Sequence, residues 1–400
     1  MVESIGLPIF ACGILIFASI LISPLAARIN APLLLVFLAL GMLAGKDGFG
    51  GINFDNFSVA YLIGSVALAI ILFDGGLSTS VHTIKVAWGP ALVLATVGVL
   101  ITAGIVGVSA VWLLDMSLPH GLLLGSVVAS TDAAAVFMLL QQRAIELRGR
   151  IAETLEVESG INDPMAIFLT IVCVDLVQKG NAQVTWSIAL DLAYQFGIGA
   201  AAGCLGGIGL AWLINRLTLA LGLYSVLALS GALILFGGTQ WLGGSGFLAI
   251  YLAGILLKHY QHQAEQQVHG FHDGLAWLSQ IVLFLMLGLL VTPRYLDMEL
   301  AIASVIAAVL MLIARPLAVL VCLAPFSFTL REQLFIGWMG LRGAVPIFLA
   351  IIPVMSPGPI TIEFFDTVFI VVVTSLIFQG WSGGWLAKRL GLEAPPSSGT

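Results

Sequence analysis

Glu156-Val157-Glu158-Ser159-Gly160-Ile161-Asn162-Asp163-Pro164 stands inside an apolar stretch that runs from about 151 to 176. Glu158, Asp163 and a proline sit where a segment long enough to cross lipid would bury them, and a carboxylate at that depth costs several kcal/mol. Ser159 and Asp163 are four residues apart and share one helix face. Glu158 precedes Asp163 by five residues, a rotation of roughly 140° at 3.6 residues per turn, so the two acids address different neighbours. Pro164 has no N–H, which leaves the Gly160 carbonyl without its helical donor. A carboxylate, a hydroxyl, an amide and a carbonyl make a hard oxygen set, suited to alkali cations and protons rather than thiophilic metals.

The rest of the chain sets this segment in a membrane. Of 400 residues, 60% are hydrophobic and only 9% charged, with a mean hydropathy of +1.10. Soluble domains carry about a quarter charged residues, so lipid is the solvent that tolerates this surface. The net charge of -6 therefore says little about partners. The first apolar run, Ile5 to Ile22, has no basic region before it and is long enough to span, so it reads as a retained helix. Cys12, Cys173, Cys204 and Cys322 lie in apolar stretches without CxxC spacing and read as small fillers.

Apolar segments recur near 5–24, 31–45, 57–77, 85–114, 119–141, 151–176, 185–215, 223–240, 244–258, 273–292, 299–325, 330–354 and 361–388. They predict an all-α membrane protein of about 13 transmembrane helices, because continuous apolar runs exclude a barrel. With the N-terminus outside, the cytoplasmic segments hold Arg28, Lys85, Arg143, Arg148, Arg150, Arg216, Lys258, Arg331, Lys388 and Arg389. The opposite side holds Lys46, Lys179 and Arg294, which is the bias of the positive-inside rule. Residues 1–390 thus form one transmembrane domain. An odd count fits two inverted six-helix repeats, about 1–177 and 223–390, joined by a linker helix at 185–215. Span 5 then corresponds to span 12. Both are interrupted mid-span, at Ala129-Ser130-Thr131-Asp132 and at Gly340-Leu341-Arg342-Gly343-Ala344-Val345-Pro346. Paired interrupted helices point to a transporter's midplane site.

The intramembrane charges follow from these breaks. Half-helices that meet at a break present positive N-terminal and negative C-terminal ends. Asp132 is placed to neutralise the former and Arg342 the latter. Arg315 lies inside span 11 and requires a carboxylate partner, for which Glu158 is the choice, leaving Asp163 free to bind. Asp74 is a further intramembrane acid, in span 3.

Ser130-Thr131-Asp132, Glu158-Ser159-Gly160-Ile161-Asn162-Asp163-Pro164, Ala314-Arg315-Pro316 and Gly340-Leu341-Arg342-Gly343-Ala344 occur in this order along the chain. Together they resemble the monovalent cation:proton antiporter-1 family, the NhaP and sodium/proton exchanger group, nearest to the bacterial potassium/proton antiporters of the cell-volume-regulation type. The resemblance runs from span 1 to span 13. It implies the NhaA-like fold with crossed discontinuous helices, and a homodimer in a bacterial inner membrane. It implies that a core bundle, from helices near 119–176 and 299–354, moves against a dimerisation domain. Asp163 would be shared by proton and cation, with Asn162, Ser159, Thr131, Asp132 and Asp74 at the ion site. Glu158 and Arg315 would form a structural pair. Exchange would be electroneutral, because Asn162 stands where electrogenic relatives carry a second aspartate.

A carboxylate in lipid holds either a proton or an alkali ion, and a carrier that changes sides only when occupied exchanges one for the other. Sodium-coupled symport of a small organic solute is the alternative on the same fold, and an ion channel a weaker one. The chain shows no P-loop or nucleotide fingerprint, which argues against an ATP-driven pump; no enzymatic activity, cofactor, nucleic-acid partner or resident metal is expected. His259, His262, His269 and His272 read as a hydrated cytoplasmic loop. Gly199, Gly203 and Gly207 read as a close helix-packing stripe or a dimer contact. Residues 391–400 are polar and read as the start of a cytoplasmic region.

Overall fold

In lipid every backbone N–H and C=O must be satisfied within its own segment, so uninterrupted apolar runs fold as helices. The computed structural model describes residues 2–28, 31–141, 145–179, 186–260, 262–291, 296–358, 360 and 362–393. Arg143, Arg294 and residues 394–400 of the polar tail lie outside them. Apart from two isolated β-bridges, Gly45 to Ile52 and Leu147 to Glu393, the ordered elements among the described residues are helical. The first nine helices are α1 (Val2–Arg28), α2 (Leu33–Ala44), α3 (Phe57–Ser78), α4 (Val81–Val93), α5 (Val99–Leu114), α6 (Leu118–Val128), α7 (Ala133–Gln141), α8 (Gly149–Lys179) and α9 (Trp186–Arg216). They are followed by α10 (Leu221–Trp241), α11 (Gly246–His259), α12 (Glu265–Leu290), α13 (Leu296–Val309), α14 (Arg315–Leu323), α15 (Leu330–Trp338), α16 (Ala344–Leu349), α17 (Ile351–Met355) and α18 (Ile362–Leu390).

Ten helical runs among the described residues are long and apolar enough to cross a membrane. Three shorter apolar helices, Leu33–Ala44, Gly246–His259 and Ala344–Met355, stand where spans 2, 9 and 12 are expected. The run Leu118–Gln141 is broken at 129–132 into α6 and α7, and a second break at 339–343 separates α15 from α16. Span 11 is also irregular. A π-helical segment, Leu310–Ala314, joins α13 to α14, since Pro316 cannot donate to the Leu312 carbonyl and its ring needs the wider turn. A matching π segment, Leu94–Gly98, joins α4 to α5.

Burial grades from edge to centre. Of the 18-residue apolar stretch in each, 11% is buried in α1, against 72% in the α6–α7 run and 67% in α8, so the broken helix and the acid-bearing helix occupy the middle of the bundle. Glycines set several of the close contacts. A Cβ on Gly41 would lie 2.2 Å from the Leu285 carbonyl oxygen, and one on Gly288 2.3 Å from that of Leu38, which brings α2 and α12 backbone to backbone. The same reciprocal contact joins α3 and α11: Gly76 meets the Tyr251 oxygen at 2.3 Å and Gly254 that of Phe73 at 2.5 Å. The Gly199, Gly203 and Gly207 stripe packs α9 onto α11, its Cβ positions falling on the carbonyl oxygens of Ser245, Ala249 and Ala253. It is therefore an internal contact, and the dimer-contact reading of that stripe is set aside.

One boundary differs from expectation in a way that matters. The helix expected over 273–292 begins at Glu265. Its polar first turns fall below a hydropathy threshold, yet Val268, His272 and Ala276 recur every four residues and are all buried, so amphipathic periodicity carries the helix outward. His269 and His272 accordingly lie on α12 and His259 ends α11, rather than on a hydrated loop. His272 is fully buried: its Nδ1 is 2.7 Å from the Val268 carbonyl and its ring meets Phe73 edge-on at 5.1 Å. Among the described residues no group of three or more His, Cys, Asp or Glu side chains is placed to hold a metal ion. The four cysteines are free thiols, Cys173 and Cys322 buried, Cys12 and Cys204 exposed.

Candidate functional site: a carboxylate cavity at two broken helices

Where two broken helices meet, backbone groups lose their helical partners and side chains must replace them. The breaks are joined directly by the Asp132 N–H, which donates to the Leu341 carbonyl at 2.9 Å. Asp132 also caps α7, its Oδ1 accepting the Ala135 N–H at 3.0 Å, the bond an aspartate before a helix is suited to make. Its side chain lies over the N-terminal end of α16, so close to Gly343 that a Cβ there would fall 1.8 Å from Oδ2. Arg342 does the opposite work. It is buried, and its Nη1 donates to the carbonyls of Ala129 and Ser130 at 2.7 and 2.6 Å, the unsatisfied end of α6. A negative side chain thus faces helix N-termini and a positive one a C-terminus, as the peptide dipoles favour. α18 steadies the second break: Ser375 accepts the Arg342 N–H at 3.3 Å, and Gln379 bridges Ser375 to the Trp338 carbonyl.

One face of α8 is stitched to the first break. Ser130 Oγ donates to Asp163 Oδ1 at 2.5 Å, and Asn162 Nδ2 donates to Thr131 Oγ1 at 2.5 Å. Ser159 Oγ donates to the Thr131 carbonyl at 3.0 Å and accepts the Ala133 N–H at 3.1 Å. Glu158 points elsewhere. It takes a bidentate pair from Arg315, Nη1 to Oε1 at 2.6 Å and Nη2 to Oε2 at 2.8 Å, with both side chains at most 2% exposed. Gly340 makes room for that pair, since a Cβ there would sit 2.8 Å from Arg315 Nε. The π segment ahead of Arg315 sets where on the helix this guanidinium leaves.

A cavity of about 420 Å³ opens against this assembly. Asp74, Asp132, Ser159 and Asp163 line it together with Glu156, Thr79, Tyr251 and Gln280, and among the described residues no Lys, Arg or His lines it. Thr131 and Asn162, expected at the ion site, are not among them; both are buried behind the wall and hold the break in place. Sequence reasoning left out Ser130 as a ligand to Asp163, although its place in the Ser-Thr-Asp break was the signal for it. It also left out Tyr251, Thr79 and Gln280, for which no local pattern exists.

The family model described as sodium/hydrogen exchanger, transmembrane, matches residues 14–389 of the chain. The K(+)/H(+) antiporter NhaP of Alkalimonas amylolytica is 47% identical over 397 residues, an alignment covering 99% of this chain and 69% of that one. The K(+)/H(+) antiporter NhaP2 of Shewanella baltica is 47% identical over 390 residues, covering 97% and 67% respectively. The Na(+)/H(+) antiporter ApNhaP of Aphanothece halophytica is 29% identical over 390 residues, covering 93% and 71%. Among solved structures, the sodium proton antiporter MjNhaP1 of Methanocaldococcus jannaschii superimposes with a TM-score of 0.82 at 24% identity, covering 96% of this chain and 99% of that one.

Proposed function

The chain belongs to the sodium/hydrogen exchanger family, and from that premise we propose that it exchanges a monovalent alkali cation, K⁺ or Na⁺, for a proton at Asp163. The observation that carries the reading is a buried carboxylate at the crossing of two broken helices, in a cavity whose charged lining residues are all acidic. Relatives at 47% identity named as K⁺/H⁺ antiporters favour potassium. Solute symport, the alternative from sequence, has no support among the relatives named here, and the described residues that line the cavity include no basic group to anchor an anionic solute.

The geometry suits a competition. Asp163 is held by Ser130 at Oδ1 while facing the cavity, with the Ser159 hydroxyl and the Asp132 and Asp74 carboxylates on the same wall. An ionised Asp163 takes a dehydrated cation; a neutral one carries the proton. An empty carboxylate is costly to move through an apolar barrier, so the carrier changes sides only when loaded, and the two ions cannot both be carried at once. Asn162 stands where electrogenic members of the family carry a second aspartate, and on that resemblance one cation exchanges for one proton, electroneutrally. The Glu158–Arg315 pair is neutral as a unit and ties α8 to α14, which makes it structural. Thr131 and Asn162 act as positioning residues.

The finer architecture belongs to the same proposal: thirteen spans in two inverted halves, with α9 as the linker and the bundle of α6–α8 and α13–α17 moving as the core. The paired breaks, the paired π segments and the two reciprocal glycine contacts, α2 on α12 and α3 on α11, each recur in positions that an inverted repeat exchanges. Exposed tryptophans support an N-terminus outside. Trp112, Trp186 and Trp241 mark the ends assigned to the outer face, and Trp88, Trp212 and Trp385 the inner, as two interfacial belts. On that orientation the cavity, bounded by Ser78, Gln141 and Ala152, opens to the cytoplasm. A homodimer in a bacterial inner membrane completes the reading.

The test is exchange by purified protein in liposomes holding a pH-sensitive dye. After a pH gradient is set, K⁺, Na⁺ or Li⁺ added outside is expected to dissipate it, and Asp163→Asn to abolish the response while folding normally. Exchange retained by that variant, or no response of folded wild-type protein to any of the three ions, sinks the assignment.

A further inference from the structure

We infer that Thr79, Glu156 and Tyr251 form a second cation station, between the mouth of the cavity and Asp163, where the alkali ion is received and partly dehydrated before it reaches Asp163. The inference rests on the antiport reading above. Glu156, Ser159, Gly160 and Asp163 follow the i, i+3, i+4, i+7 spacing of one helix face, and all four line the cavity. The carboxylates of Glu156 and Asp163 are therefore two turns, about 10 Å, apart along α8.

At the mouth end, Thr79 Oγ1 donates to Glu156 Oε1 at 2.6 Å and holds that carboxylate in place. Thr79 is buried, and it lines both this cavity and an outer hollow of about 220 Å³ shared with Lys258, His259 and Glu265. It stands between the two. Between them the Lys258 ammonium donates to the Ser78 carbonyl at the C-terminal end of α3.

Between the two carboxylates lies Tyr251. Its ring rests on Gly160, where a Cβ would fall 2.2 Å from Cζ, the carbon bearing the hydroxyl. Tyr251 is only 4% exposed, and its hydroxyl faces Thr79 and Glu156 without a hydrogen bond of ordinary geometry to any described residue. Asp74 Oδ1 and Gln280 Oε1, on the same cavity wall, also lack one. Buried polar atoms left unpaired are costly, and three of them around one cavity mark a place that a ligand or its water completes. The donors offered are carboxylate, hydroxyl and amide oxygen, the set an alkali ion accepts in exchange for water. A solvated acid at a cavity mouth would need neither the Thr79 bond nor a buried phenol beside it.

The experiment compares variants of the full chain in the same liposomes. Glu156→Gln and Tyr251→Phe are each expected to raise the cation concentration for half-maximal exchange roughly three- to ten-fold, as loss of one ligand would. The maximal rate should fall by less. Tyr251→Phe keeps the ring on Gly160 and removes only the hydroxyl, so it decides the matter if Glu156→Gln fails to fold. On Asp163→Asn protein, calorimetric titration with Tl⁺ is expected to show weak residual binding that adding Tyr251→Phe diminishes. Half-saturating concentrations unchanged in the folded variants overturn the station while leaving Asp163 in place. Exchange surviving in Asp163→Asn would instead overturn the reading on which the station rests.

Discussion

At the scale of single residues, the buried ion pair shows how a cost in one place secures precision in another. Glu158 and Arg315 are both almost fully buried and are matched fork to fork. Such a pair adds little net stability over apolar replacements, but removing one partner leaves a charge stranded and costs about 3–5 kcal/mol. Glu158→Leu or Arg315→Met alone is therefore expected to lower the thermal unfolding temperature of the solubilised protein sharply, and the double change to recover most of it. Single variants as stable as the parent would show that the pair is not what holds α8 against α14. Much of this was legible in the chain, because a five-residue offset turns Glu158 away from Asp163 and an arginine in span 11 needs an acid. The hydrogen bond from Ser130 to Asp163 was not, since it joins residues 33 apart across a break whose course no local pattern dictates.

At the scale of elements, the two broken helices are one device. Each break opens because Ser-Thr-Asp or Gly-Leu-Arg-Gly competes with regular helix, and each is closed by the other's backbone and charge. Gly343 tests the fit. The nearest atoms a Cβ in Gly343→Ala would meet are those of the Asp132 side chain, the first at 1.8 Å. That variant is expected to displace Asp132 and to lose exchange at least about ten-fold, with overpacking costing about 1–3 kcal/mol of stability. Normal exchange would mean that Asp132 need not sit at the crossing. The element that the sequence misplaced, the start of α12, failed for a physical reason. A hydropathy window averages over all faces, whereas Val268, His272 and Ala276 use only one.

At the scale of the whole molecule, the reciprocal glycine contacts make the proposed inverted symmetry measurable. Gly41 and Gly254 occupy equivalent places if the halves correspond, and a Cβ on either runs into backbone of the facing helix. Gly41→Ala and Gly254→Ala are expected to destabilise the solubilised protein by similar amounts, about 1–3 kcal/mol each. Tolerance at one site and collapse at the other would count against equivalence. Apolar run lengths determined by themselves that the chain is a helical membrane protein, because lipid leaves the backbone no other way to satisfy its polar groups. Spacing determined which acids share a face, and the positions of Gly, Pro and Ser-Thr-Asp determined where helices break, because these effects act within a few residues. Only the tertiary structure decided which of those residues meet. It put Asp74, Asp132, Glu156 and Asp163 around one cavity, moved Thr131 and Asn162 behind its wall, and laid Tyr251 on Gly160. Helices from distant parts of the chain supply each of those contacts, and their packing depends on side-chain shapes that periodicity does not encode.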